Sequence, residues 1–190
     1  MAALKQYIEE AMILAYDLVT APKTTLMNIT KEQRLYEGWI IWFLSTLLSV
    51  ISVYVQWERA GVWLLIAIYG GGAVMLLIEA ALLHGTAQLL GGSGAWKGIL
   101  AALCFCGIPA NIGTLAGTFA FILPGSLVGL IAFLSGLWGV ILIVLALQAN
   151  YAMGVGRSIA AVFLPIVFLA GVFILLCIYV VVSVASVFTL

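Results

Sequence analysis

The chain has 190 residues, of which 66% are hydrophobic and only 7% are charged, and its mean hydropathy is +1.30. A soluble domain carries roughly a quarter charged residues, so this composition excludes a soluble globular protein. The formal net charge is zero, and eleven charged residues precede Ala60 whereas only three follow it. The chain therefore divides into a polar leader, residues 1–37, and a membrane body, residues 38–190.

The leader begins with a segment, residues 2–20, that predicts an amphipathic helix. Its apolar side chains at helical spacing are Leu4, Tyr7, Ile8, Ala11, Leu14, Ala15 and Leu18. Charged residues occupy the opposite arc of the same helix. Pro22 ends the helix because proline disfavours helical geometry in the residue before it. The pattern leaves open whether this helix docks against the membrane bundle or lies in the membrane interface.

Five apolar segments follow, each at least as long as the roughly 20 residues that a helix needs to cross a bilayer. They are residues 38–57, 61–90, 98–123, 125–148 and 159–188. Trp39, Trp42 and Trp57 flank the first segment as expected interface anchors. The sequence therefore predicts an all-α integral membrane protein, with five transmembrane helices preceded by an amphipathic N-terminal helix.

The basic residues predict how this bundle is oriented. With five spans, one side of the membrane holds Lys5, Lys23, Lys31, Arg34, Lys97 and Arg157. The other side holds Arg59 alone. Because Lys and Arg collect in cytoplasmic loops, we expect the N-terminus to be cytoplasmic and the C-terminus to lie outside.

The polar residues of the body concentrate between positions 79 and 109. Glu79 is predicted to lie about one helical turn inside the cytoplasmic boundary, and His84 at the boundary itself. These two residues are five positions apart and do not share a helix face, whereas His84 and Gln88 do. Such residues either make hydrogen bonds between helices at the boundary or form a polar site facing Lys97, Arg157 or Asn111. The candidate functional positions are Glu79, His84, Lys97, Asn111 and Arg157.

The connection between the second and third spans reads GGSGAWKG, from position 91 to position 98. It lacks the strand and the Gly-Lys-Ser/Thr sequence of a phosphate-binding P-loop. It instead predicts a tight cytoplasmic turn anchored by Trp96 and Lys97, with Lys97 close to anionic lipid headgroups. Further along, Pro109 frees the carbonyl of Phe105 and predicts a kink, with Asn111 as a partner for that carbonyl.

No pattern in the chain points to catalysis or to a bound cofactor. The single Asp lies outside the spans, the single His is followed by Gly, and no G-x-S-x-G sequence occurs. These facts exclude an intramembrane aspartyl pair, an HExxH zinc site and a nucleophile elbow. The three cysteines, Cys104, Cys106 and Cys177, are too scattered for a disulfide or a metal site. We therefore expect no enzyme, no cofactor and no metal.

Several segments together resemble the Yip domain family of five-span membrane proteins, the Rab/Ypt-interacting type. They are TAPKTTLMNI in the leader, ALLHGTAQLLGGSGAWKGIL in the second and third spans, Pro109, and LWGVILIVLALQANYAMGVGRSIAAVFLP. The segments from Lys97 to Pro109 and from Arg157 to Pro165 are weakly similar, because in each a basic residue follows glycines and precedes an apolar span with a proline. The positions that carry the resemblance are His84, Gly91, Gly92, Pro109 and Arg157. The structural motif comprises Gly91, Gly92, Pro109 and Pro165.

The resemblance also implies roles for the chain, which the residues alone do not indicate. Eukaryotic members of the family act in Golgi and endoplasmic-reticulum trafficking, bind Rab-type GTPases and are linked to membrane curvature. Those members carry a longer N-terminal region with a DLYGP-like motif. Because this chain has neither, it resembles the prokaryotic branch, and GTPase binding is doubtful for it.

The sequence thus predicts a non-enzymatic, multi-pass protein of a prokaryotic cytoplasmic membrane that organises membrane or recruits partners through its cytoplasmic face. The expected partners are the lipid bilayer and either further copies of the chain or another membrane protein. We expect no nucleic-acid partner. The alternative is a small transporter or channel that uses Glu79 and His84.

Overall fold

The structure is a computed structural model that describes residues 2–56 and 62–188. It is 89% helical, and no strand occurs in those residues. The helices are α1 (Ala2–Thr20), α2 (Pro22–Glu32), α3 (Leu35–Gln56), α4 (Val62–Leu89), α5 (Trp96–Cys106), α6 (Ile108–Thr118), α7 (Gly125–Tyr151) and α8 (Val155–Phe188). The predicted all-α class is confirmed.

Five segments of these helices are long and apolar enough to cross a membrane. They are Leu35–Val55, Trp63–Leu89, Trp96–Thr118, Gly125–Tyr151 and Val155–Tyr179. Trp39 and Trp42 contact each other edge to face, with ring centroids 5.3 Å apart. Trp57 and Arg59, on which part of the anchor and orientation predictions depended, lie outside the described residues.

The leader folds into two helices and not one. Pro22 stands at the start of α2, where its missing N–H costs no helical hydrogen bond. The helix ends at Glu32, and the next residue, Gln33, adopts a left-handed conformation with φ of 51°. Helix α1 packs on α2 and α3 through the buried residues Ala11, Leu14 and Leu18. Helix α1 therefore docks against the bundle, which was one of the two alternatives that the sequence left open.

The third candidate span, formed by α5 and α6, is the centre of the bundle. In its most apolar stretch 56% of the residues are buried, against 6% for the last span. A methyl group at Gly38 of α3 would lie 3.2 Å from the carbonyl oxygen of Ala101, so these two helices approach closely. Gly113 of α6 meets Ala132 of α7 in the same way, at 3.3 Å. Small residues at both crossings allow this approach where lipid supplies no hydrophobic drive.

The third span is interrupted at Gly107, between α5 and α6. Pro109 follows in the first turn of α6 and is buried. The interruption lies where a proline predicts a kink, since its ring removes a donor and crowds the preceding turn. Helix α6 then ends at Thr118, and a series of turns leads to α7 at Gly125.

At one end of the bundle, which we call the polar end, polar side chains of α4, of α7 and of the leader surround one space. It comprises α2, the 91–95 loop between α4 and α5, and the short turn between α7 and α8. Helix α8 contacts only α4 and α7 among its main neighbours, so most of its surface is open to the surroundings.

Candidate functional site

The 91–95 loop starts with a helix termination that glycine makes possible. Gly91 has a φ of 83°, in the left-handed region that favours glycine. The N–H of Gly91 donates to the carbonyl of Gln88 at 2.9 Å, and the N–H of Gly92 donates to the carbonyl of Ala87 at 2.9 Å. These two bonds form a Schellman motif, which satisfies the last carbonyls of α4. The end of α4 is thereby fixed in direction.

The next glycines let the loop lie directly on the end of α7. A methyl group at Gly94 would lie 2.5 Å from the carbonyl oxygen of Asn150 and 2.5 Å from Cδ1 of Tyr151. One at Gly92 would lie 2.6 Å from Sδ of Met153. The side chain of Asn150 donates from Nδ2 to the carbonyl of Ala95 at 2.9 Å. The loop has no room for larger side chains at these positions and is held by α7.

His84 contacts residues of two other helices at this end. Its Nδ1 lies 2.6 Å from the hydroxyl oxygen of Tyr151, and the tautomer of the imidazole decides which of the two donates. The imidazole also meets the ring of Trp96 edge to face, with centroids 5.8 Å apart. Tyr151 is only 1% exposed. This cluster of His84, Trp96 and Tyr151, which we call the histidine cluster, joins α4, α5 and α7.

Two of the predicted basic positions surround this loop. Lys97 and Arg157 are both exposed, and Nη1 of Arg157 lies 4.0 Å from the point where a methyl group at Gly91 would stand. In the part of the chain that the structure describes, neither side chain forms an ion pair within 4.0 Å. The polar end thus brings together His84, Gly91, Gly92, Lys97 and Arg157. Within the same described residues, no hydrogen bond joins His84 to Lys97, Arg157 or Asn111.

Asn111 lies elsewhere, on α6. Its Nδ2 donates to Oγ of Ser45 on α3 at 2.9 Å. The carbonyl of Phe105, for which the sequence suggested Asn111 as partner, accepts from the N–H of Gly107 instead. Asn111 therefore links two helices and does not repair the interruption in its own span.

Glu79 and Pro165 line an apolar groove between α4, α7 and α8. The groove has a volume of about 520 Å³, and Leu76, Val140 and Ile166 contribute to its walls. Glu79 is exposed along it, and it forms no ion pair in the residues that the structure describes. The imidazole of His84 is engaged in the histidine cluster. The carboxylate of Glu79 and this imidazole therefore do not form one site.

The sequence analysis missed a charge cluster between the leader and the body. Nη1 of Arg34 lies 2.6 Å from Oε2 of Glu10 and 3.1 Å from Oε1 of Glu37, and its Nη2 lies 2.5 Å from Oε2 of Glu32. The Glu37 side chain is only 5% exposed. Gln6 donates to Oε1 of Glu10 at 2.9 Å. We call Arg34 with these three carboxylates the arginine cluster, and it ties α1 to the start of α3.

The arginine cluster also shifts the ionisation of its members. Burial opposes the charge of Arg34, but hydrogen bonds with Glu37, Glu32 and Glu10 outweigh it and raise the pKa of the guanidinium. The hydrogen bond from Gln6, followed by the contact with Arg34, lowers the pKa of Glu10. The spacing of Arg34 and Glu37, three residues apart, is visible in the sequence. Nothing in the sequence places Glu10 beside them.

Comparisons with known proteins gave one match. The family model described as Yip1 domain matches residues 16–178, from the latter part of α1 into α8. No curated protein and no solved structure matches the chain.

Proposed function

The chain belongs to the Yip1 domain family, as its sequence motifs predicted, and on this premise we propose that it is a non-enzymatic membrane protein that recruits partners through its polar end. With its several apolar helices it is a membrane protein of that family. The recruitment of partners is a proposal that goes beyond the family assignment. In this proposal the polar end is the cytoplasmic face, and the partner is a further membrane protein or another copy of the chain.

The observation that carries this proposal is the fixed loop with two exposed cations around it. The 91–95 loop is held by the Schellman motif, by Asn150 and by close contact with Tyr151. Lys97 and Arg157 stand beside this rigid surface. Preformed surfaces bind with a smaller entropic cost, and unpaired cations favour a partner of opposite charge. An acidic segment of another membrane protein fits such a surface.

Site-specific photo-crosslinking in membranes tests this proposal. A photoreactive residue at Ser93, which is exposed in the loop, should give a defined crosslinked product. We expect the product to disappear when Lys97→Glu and Arg157→Glu are combined. The matched control places the photoreactive residue at Phe121, which is 77% exposed in the turns before α7. Identical products from Ser93 with and without the charge changes would refute recruitment through this surface.

The groove at Glu79 favours a second candidate function, that of a small transporter or channel. A carboxylate in an apolar groove between membrane helices is costly, and such residues commonly serve ion or proton pathways. His84 would contribute only by leaving the histidine cluster. Flux measured in proteoliposomes should then be abolished by Glu79→Gln, with Glu9→Gln in the leader as the matched control. Absence of flux for protons, ions and small solutes would exclude this candidate.

A further inference from the structure

A cleft at the polar end lies between α2 and α7. On the α2 side it is lined by Lys23, Met27 and Lys31, which are spaced four residues apart and form one stripe of the helix. On the α7 side it is lined by Leu145, Gln148 and Ala149, which share a face in the same way. The cleft has a volume of about 410 Å³. The small side chain of Ala149 leaves this space open.

The two lysines of this cleft are exposed and have no carboxylate within 4.0 Å in the described part of the chain. The acidic residues of the leader that form ion pairs do so with other cations. Glu9 pairs with Lys5, and the remaining three belong to the arginine cluster. The positive charge of these two lysines is therefore not neutralised by the leader's paired carboxylates, which bind Lys5 and Arg34.

The lining of the cleft combines cationic, amide and hydrocarbon side chains. Leu145 lies six residues before the end of α7, which corresponds to about 9 Å along the helix. Lys23 and Lys31 are separated by about 12 Å along α2 at the same rise per residue. The half-buried Met27 stands between them and, with Leu145 and Met153, supplies the larger apolar side chains of the lining. On the α2 side, the hydrocarbon of Met27 thus has a lysine on either side of it, and on the α7 side Leu145 lies about one turn from the Gln148 amide.

We propose that this cleft binds an anionic phospholipid from the leaflet at the polar end. The phosphate lies between Lys23 and Lys31, where two ammonium groups offset its charge. The Gln148 amide donates to the phosphate or to an ester oxygen of the lipid. The upper part of an acyl chain contacts Met27 and Leu145. Basic pockets beside membrane helices select anionic headgroups for this electrostatic reason. The site adjoins the proposed recruitment surface, because Lys31 and Ala149 also line the space beside the 91–95 loop. Lipid binding there does not depend on recruitment of a protein partner.

Lipid retention by the purified full-length chain tests the proposal. Native mass spectrometry compares phosphatidylglycerol with phosphatidylcholine added at equal concentration to the detergent-solubilised protein. We expect preferential retention of phosphatidylglycerol. One lysine near an anionic lipid changes the affinity about five-fold. Lys23→Gln or Lys31→Gln alone should therefore weaken phosphatidylglycerol binding about five-fold, and the double variant should weaken it about thirty-fold. The Lys23→Arg/Lys31→Arg variant should keep the preference.

Lys5→Gln is the matched control, because Lys5 is exposed and pairs with Glu9 away from the cleft. It should leave lipid retention unchanged. A melting temperature lowered in the double variant, with an unaltered lipid preference, would show that the lysines only support the end of α7 and would overturn the proposal. Equal retention of the two lipids by the unmodified chain would overturn it as well.

A second measurement does not depend on any variant. A photoreactive phosphatidylglycerol analogue, reconstituted with the unmodified chain, should label peptides that contain residues 23–31 and 145–149. Labelling spread evenly over the exposed surface of α8 and the other helices would show that the lipid has no preferred site, and would contradict the proposal.

Discussion

Replacing Gly94 with Ala tests the close contact between the 91–95 loop and α7. The new methyl group would stand 2.5 Å from the carbonyl oxygen of Asn150, and backbone cannot rotate away as a flexible side chain can. It would also stand 2.5 Å from Cδ1 of Tyr151, whose hydroxyl is engaged with His84. The loop or the end of α7 must therefore move. Overpacking of this kind costs about 1–3 kcal/mol.

The same substitution at Gly85 is the matched control. Gly85 lies within α4, and a methyl group there would meet nothing within 4 Å. Alanine in a helix interior is more favourable than glycine by about 0.5–1 kcal/mol, so Gly85→Ala should stabilise the protein. Unfolding by sodium dodecyl sulfate in mixed micelles, followed by circular dichroism, measures both free energies. Equal stability of Gly94→Ala and the unmodified chain would refute the close packing of the loop.

Four further predictions concern the histidine cluster, the arginine cluster and the hydrogen bond between α6 and α3. Tyr151→Phe removes the hydroxyl bonded to His84 and should cost about 1 kcal/mol in the same assay; a double-mutant cycle with His84→Ala that shows no coupling would contradict the contact. Arg34→Ala leaves the cluster's three carboxylates without their cation, so hydrogen exchange in α1 should become faster while exchange in α5 stays slow. The pKa of Glu10 is lowered from 4.5, so its contribution to the stability of α1 should be complete above that value and be lost as the pH falls through the lowered pKa. Protection of the α1 amides from hydrogen exchange should follow the same course, and a loss of protection that begins at neutral pH would contradict this. Asn111→Ala removes the bond to α3 and should cost about 0.6 kcal/mol, the average for polar contacts between membrane helices, whereas a neutral result would show that the bond contributes nothing.

The leader illustrates how far sequence reasoning reached. Of the seven apolar positions predicted to form one face of α1, Ala11, Leu14 and Leu18 are buried and Ala15 is half-buried. The three nearest the N-terminus are exposed, namely Leu4, Tyr7 and Ile8. The apolar spacing did not indicate whether that face meets protein or lipid, since both are apolar. Helix α2 was missed because Pro22 was taken as an end, whereas proline is equally suited to the first turn of a new helix.

The candidate site shows the same limit more strongly. His84, Gly91, Gly92, Lys97 and Arg157 were selected from the sequence, and the structure places them at one end of the bundle. The partners that fix them were not selected. Tyr151 and Asn150 stand at the end of a long apolar segment, about 60 residues further along, with no pattern that points to the loop. Their role depends on which helix ends meet.

The sequence by itself determined that this is a helical membrane protein with five apolar segments. The reason is that lipid offers no hydrogen-bond partners, so an apolar run of that length must satisfy its own backbone as a helix. Tertiary structure alone decided which helix is central, where Asn111 donates, and that Arg34 gathers carboxylates from α1, α2 and α3. These contacts join residues far apart in the chain, and only the packing of the helices brings them within hydrogen-bond distance.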